Sequence, residues 1–225
     1  MKKILLHLVF IIIVIGDLIG EYLQLPFLDH IFKPLIMIWI GGYFFIFSKG
    51  IDKSVVRMAL SAFIASWIGD LFLMFGSQFI YFVLGIASFL TAQIFYVFLF
   101  LRTINLSGKK SFLKKKPVWL LAYIVYGIVV YILLFPNLDG VLKLAVLIYV
   151  LAILSMSSMA LNRLGNGHPI SFTLVFTGSL FFVASDTMIA INRFLVPIPY
   201  EGLLIMGTYI SAQYLIMRGL LMQYE

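Results

Sequence analysis

Eight apolar runs of 15 to 23 residues fill most of the chain, at 4–21, 34–48, 55–75, 79–101, 117–135, 141–161, 170–192 and 200–222. In hydrocarbon every backbone N–H and C=O must be paired, which leaves only helices and closed barrels. Barrel strands alternate polar and apolar residues, and these runs do not. A spanning helix needs roughly 20 apolar residues. The runs therefore predict an all-α polytopic membrane protein with eight transmembrane helices in a single domain, 1–225. The first two runs are short, which tilt or an interfacial turn between them would accommodate. Only 11% of residues are charged, against about 25% in a soluble domain, too few to coat a soluble globule. There is no cysteine, which excludes a disulfide framework or a zinc ribbon.

The breaks carry turn chemistry, at 24–26, 49–53, 76–78, 107–116, 136–140, 163–169 and 197–199. Lys2 and Lys3 followed by an apolar run have the outline of a signal peptide. Gly16, Asp17, Leu18 and Ile19 make a poor cleavage site, so the expectation is a retained helix. With eight spans both termini share a side. On that side lie Lys2, Lys3, Lys49, Lys53, Arg57, Arg102, Lys109, Lys110, Lys114, Lys115, Lys116, Arg163 and Arg218, which is 13 of the 16 basic residues. Lys33, Lys143 and Arg193 fall opposite. The positive-inside rule places both termini in the cytoplasm, as for a protein of the bacterial inner membrane. The net charge of +7 is then a matter of topology. The basic run at 109–116 reads as an anchor near anionic headgroups, with no nucleic acid as partner.

The halves 1–108 and 109–225 look related. Ser66-Trp67-Ile68-Gly69-Asp70 in the third span is echoed by Phe182-Val183-Ala184-Ser185-Asp186 in the seventh. Thr91-Ala92-Gln93 in the fourth is echoed by Ser211-Ala212-Gln213 in the eighth. Four spans per half make this a parallel repeat.

Ionisable residues inside a membrane cost about 3 kcal/mol each at the bilayer centre and mark function by default. Asp70 and Asp186 fall about 20 and 24 Å along their helices at 1.5 Å per residue, in the outer half of the core of equivalent spans. An inward-facing carboxylate pair is expected; separate salt bridges or helix caps are the bland alternative. Asp17 and Glu21 are spaced i, i+4 on one face of the first span. Lys33 opens the second run and Arg193 closes the seventh. Both either snorkel to the headgroups or bind a phosphate and hold the aspartates ionised. Gln93 and Tyr96 in the fourth span and Tyr209 and Gln213 in the eighth either join helices by hydrogen bonds or line a polar cavity. Ser66 shares a face with Asp70 and can hydrogen-bond it. His7, His30 and His168 are scattered without ligand spacing, so no metal and no cofactor is expected. A serine hydrolase is disfavoured by the absence of a Gly-x-Ser-x-Gly elbow. A retinal protein is disfavoured because every lysine lies at a helix end or in a loop.

Several of these residues fall into motifs. They are Lys33-Pro34-Leu35, then Gly69-Asp70-Leu71-Phe72-Leu73-Met74, then Gly85 with Phe89. Ser185-Asp186 follows with Ala190 and Arg193-Phe194, and finally Tyr209 with Gln213. In this order, spread over nearly the whole chain, they resemble the lysoplasmalogenase (YhhN-like) family of eight-span membrane proteins. One departure is Gln93, where the family commonly has a histidine; glutamine cannot shuttle a proton. The resemblance implies hydrolysis of the vinyl ether bond of a lysoplasmalogen or related lysophospholipid. A fatty aldehyde and a glycerophospho-base are the implied products, and Asp70 and Asp186 the implied catalytic carboxylates. Glu21, Lys33, Ser66, Gln93, Tyr96, Arg193, Tyr209 and Gln213 are the expected substrate-binding set.

Vinyl ethers hydrolyse by protonation at the distal alkene carbon, followed by addition of water to the oxocarbenium ion. Two carboxyl groups in a low-dielectric cavity can divide that work, one holding the proton and the other charged. Which aspartate is the acid stays open, as does the oligomeric state. The rival classes are a lipid or small-solute carrier, since a parallel repeat with intramembrane acids is also transporter grammar, and a non-catalytic membrane sensor or chaperone.

Overall fold

The computed structural model describes residues 2–108 and 111–224; Lys109 and Lys110 of the basic run, and the side chain of Lys2, lie outside the described residues. Within these the chain is all-helical. The elements are α1 (Lys2–Leu23), α2 (Pro26–Phe47), α3 (Lys53–Leu73), α4 (Phe79–Leu106), the short α5 (Phe112–Lys115), α6 (Leu120–Leu134), α7 (Gly140–Leu161), α8 (Pro169–Phe194) and α9 (Glu201–Met222). Single 3-10 turns, Pro117–Trp119 and Phe135–Asn137, flank α6. Seven of the helices are long and apolar enough to cross a membrane. α9 matches the expected eighth span in length, at 22 residues, about 33 Å at 1.5 Å per residue. It falls outside that set, and it carries Glu201 and Arg218.

Large apolar side chains face outward along the bundle, among them Ile12, Phe45, Ile64, Phe98, Ile132 and Leu151. On a soluble protein such a surface would drive association; on apolar helices of this length it is a lipid-facing belt. The protein is an integral membrane protein.

The α2 boundary differs from the expectation. Asp29, His30 and Lys33 interrupt the apolar pattern, so the run reads as starting at Pro34. The helix instead begins at Pro26, which sits in the first turn, and carries Pro34 in its interior. Proline there removes one intrahelical hydrogen bond, and spanning helices tolerate this where neighbours satisfy the backbone. Separately, the Trp67 indole N–H of α3 donates to the Pro34 carbonyl at 3.1 Å and ties α3 to α2. A parallel bond, Trp39 to the Leu6 carbonyl at 3.0 Å, ties α2 to α1. The α1–α2 turn is tight, with Gln24 in the left-handed region at φ 52.

Small residues set the closest helix crossings. A Cβ on Gly178 of α8 would lie 2.8 Å from the Ala212 carbonyl oxygen of α9, and one on Gly219 of α9 would lie 2.9 Å from the Val175 nitrogen of α8. On α3, a Cβ on Gly69 would lie 2.7 Å from the Phe89 ring of α4. Without a hydrophobic drive between helices in lipid, such close packing is what joins them. At the end of the bundle carrying the α7–α8 loop, Arg163 is buried and donates to Ser171 at 2.9 Å and to Gln223 at 3.2 Å. Asp52 caps α3 through the amides of Ser54 and Val55, and the Arg102 guanidinium hydrogen-bonded to it holds its carboxyl below the usual range.

Candidate active site

Asp70 is buried one turn from Ser66 on α3, where Gly69 lets α4 approach closely. The Tyr209 hydroxyl of α9 donates to Asp70 Oδ2 at 2.8 Å. The Tyr209 ring is held edge-on by Phe89 at 5.8 Å and Phe182 at 5.7 Å. Beneath it runs a buried chain of hydrogen bonds: Tyr96 donates to Gln213 Oε1 at 2.5 Å, and Gln213 Nε2 donates to Ser66 Oγ at 3.0 Å. Burying these polar groups is tolerable because each is paired.

Asp186 is half-buried on α8 and takes a hydrogen bond from the Tyr149 hydroxyl of α7 at 2.5 Å. Its neighbour Ser185 donates to the Ile205 carbonyl of α9 at 3.1 Å. Gln93 is buried next to the Tyr149 hydroxyl, and its amide atoms have no other partner among the described residues.

A cavity of about 290 Å³ joins the two carboxyl groups. Its lining includes Asp70, Asp186, Tyr209, Lys33, Glu21 and Arg193. Lys33 pairs with Glu21 at 2.8 Å across the α1–α2 hairpin, and Arg193 stacks over Phe82 at 4.8 Å. Asp17, one turn before Glu21, is fully buried, and neither of its oxygens finds a hydrogen-bond donor among the described residues.

Six of the ten expected site residues thus meet at one cavity. Ser66, Gln93, Tyr96 and Gln213 do not line it; they lie deeper, where three of them form the network that supports Tyr209 and α3. The sequence reading missed Tyr149, the partner of Asp186, and Glu201, which also lines the cavity. Tyr149 is one of 12 tyrosines, and nothing local sets it apart. Glu201 lies at the start of the eighth run, 200–222, where an acid at a helix end draws no attention.

A second cavity of about 270 Å³ lies between α4, α6, α7 and α8 and is almost wholly apolar. It shares Phe82, Phe89, Asp186 and Ile189 with the polar one.

A helical bundle with a lipid-facing belt and a charged cavity reaching into it, with Asp70 and Asp186 among the carboxyl groups on its wall, defines a polytopic membrane protein with an intramembrane polar site. The YhhN family model matches residues 28–220, and the chain belongs to the YhhN family. It is similar to the lysoplasmalogenase TMEM86A of Bos taurus, 32% identical over 192 residues, covering 81% of this chain and 73% of that one. It is equally similar to the TMEM86A lysoplasmalogenase of Homo sapiens, with the same identity and coverage. The human lysoplasmalogenase TMEM86B is 28% identical over 193 residues, covering 86% of this chain and 75% of its own. No solved structure matches.

Proposed function

We propose that the protein is a membrane-embedded hydrolase that cleaves the vinyl ether bond of a lysoplasmalogen or a related lysophospholipid by acid–base chemistry of Asp70 and Asp186. The observation that carries the reading is that these two carboxyl groups, from helices far apart in sequence, line one cavity that also holds Lys33 and Arg193. The cations suit the lysolipid phosphate. The carboxyl pair suits a reaction that needs both a proton donor and an anion opposite a developing cation. The lysoplasmalogenase relatives support the bond being cleaved. The products are a fatty aldehyde and a glycerophospho-base, and the chain's own residues supply all the chemistry.

The same reading takes α9 as the eighth span, with both termini on the cytoplasmic side of a bacterial inner membrane. It takes the halves 1–108 and 109–225 as a parallel repeat. Helix adjacency supports the repeat: α3 packs on α4 as α8 packs on α9, and α4 packs on α7 as α9 packs on α2.

The test is aldehyde release from a lysoplasmenyl lipid by purified protein in detergent. Asp70→Asn and Asp186→Asn keep side-chain size, and each should cost about 10²–10⁴-fold in turnover while the protein stays monodisperse. Wild-type turnover in either variant would refute the paired-carboxyl chemistry. A wild type that releases no aldehyde would favour a carrier.

A further inference from the structure

The two cavities meet at Asp186, and their order matches the order of atoms in a vinyl ether lipid. Of the four residues they share, Phe82, Phe89 and Ile189 are apolar and Asp186 is the one ionisable group. Among the described residues Asp186 is also the only carboxyl on the wall of the apolar cavity, whose rim residues Val83 and Ile148 are exposed where the belt meets lipid. Asp70 lines the polar cavity and not the apolar one. A lysolipid entering from the bilayer has a charged headgroup and a hydrocarbon chain, and one arrangement accommodates both. The headgroup faces Lys33 and Arg193, and the chain lies between α4, α6, α7 and α8. The bond between headgroup and chain then passes Asp186.

Resting on the hydrolase reading above, we propose that the apolar cavity holds the alkenyl chain, that Asp186 is the general acid and that Asp70 is the base. In the unit O–Cα=Cβ–chain, Cβ lies on the chain side and Cα on the headgroup side. The carboxyl at the mouth of the chain cavity faces Cβ; the carboxyl within the polar cavity faces Cα. Asp186 gives its proton to Cβ as the alkene electron pair forms the new C–H bond, leaving an oxocarbenium ion at Cα. Water adds its oxygen to Cα and gives a proton to Asp70. The hemiacetal breaks its Cα–O bond to glycerol as its hydroxyl proton passes to the departing oxygen, releasing aldehyde and the glycerol hydroxyl. The proton on Asp70 then passes to Asp186 and restores the starting state. Tyr149 and Tyr209 are positioning residues, each holding one carboxyl by its hydroxyl.

Azide distinguishes the roles because it is a nucleophile that needs no base and carries no proton to donate. Asp70→Ala and Asp186→Ala should each lose about 10²–10⁴-fold in aldehyde release. Added azide should restore substrate consumption by Asp70→Ala, with an α-azido ether as product, detected by mass spectrometry. Azide should do nothing for Asp186→Ala, whereas formic acid should restore aldehyde release there, less so as pH rises and formate loses its proton. An azide adduct from Asp186→Ala, or from neither variant, overturns the assignment. If an alanine variant does not fold, the asparagine variants, which keep volume, take its place with the same outcomes. The chain site has its own measurement: Ala145→Phe, on the wall of the apolar cavity, should raise KM at least tenfold more for a long-chain than for a short-chain vinyl ether lipid. An equal change for both would overturn the chain placement. A wild type that releases no aldehyde would refute the hydrolase reading itself and this assignment with it.

Discussion

Removing the Tyr209 hydroxyl tests the hydrogen bonding that holds Asp70. In Tyr209→Phe the ring keeps its edge-on contacts with Phe89 and Phe182, so packing is retained. The donor to Asp70 Oδ2 at 2.8 Å is lost, and with it the hydroxyl's hydrogen bond to Gln213. Tyr209 and Asp70 are both buried, so no bulk water readily replaces it. A hydrogen bond to a charged partner contributes about 1.5–3 kcal/mol, and an orphaned buried acceptor costs a similar amount. If Asp70 is charged opposite the oxocarbenium ion, the bond is strongest in the transition state. At 1.36 kcal/mol per factor of ten, the loss translates to roughly 10- to 100-fold in kcat with little change in KM. The assay is steady-state aldehyde release in detergent beside a thermal unfolding midpoint. Tyr96→Phe is the comparison: it breaks the bond to Gln213 two links from Asp70, so it should lower the midpoint and leave kcat within a few-fold. A Tyr209→Phe protein with wild-type kcat, or a Tyr96→Phe protein with the larger kinetic defect, would refute the reasoning that Asp70 acts through this bond.

Three further outcomes follow from the same geometry. Gly178→Ala puts a methyl 2.8 Å from the Ala212 carbonyl oxygen and should cost about 1–3 kcal/mol by overpacking. Gly207→Ala, with open space at its Cβ position, should be neutral or stabilising by up to about 1 kcal/mol; thermal midpoints in detergent compare the two. Gly202→Ala would bring a Cβ to 2.0 Å of Glu21 Oε2, displacing the carboxylate that pairs with Lys33, and should raise KM for the lysolipid several-fold with kcat little changed. Reporter fusions after Gly108 and Asp139 should report opposite sides of the membrane; the same side for both would contradict the eight-span topology.

The sequence by itself determined that this chain lives in a membrane as a helical bundle, because the length and uniform apolarity of its runs leave the backbone no other way to pair in lipid. It also singled out Asp70 and Asp186, because a carboxyl deep within such a run is costly to bury. Span ends were less legible. Lys33 and Pro34 look like a boundary in one dimension, and the helix runs through them because Glu21, on the neighbouring helix, answers the charge, while Trp67 of α3 adds a hydrogen bond to the Pro34 carbonyl. Only the tertiary structure decided which polar residues share a cavity and which support it from below. Gln213 and Tyr209 sit one turn apart on the same helix face, yet one reaches Ser66 and the other the cavity wall. Only the tertiary structure, too, brought Tyr149 to Asp186 and laid an apolar cavity against a charged one at that residue. Those contacts join helices 37 to 147 positions apart, and local sequence carries no record of which distant face a side chain will meet.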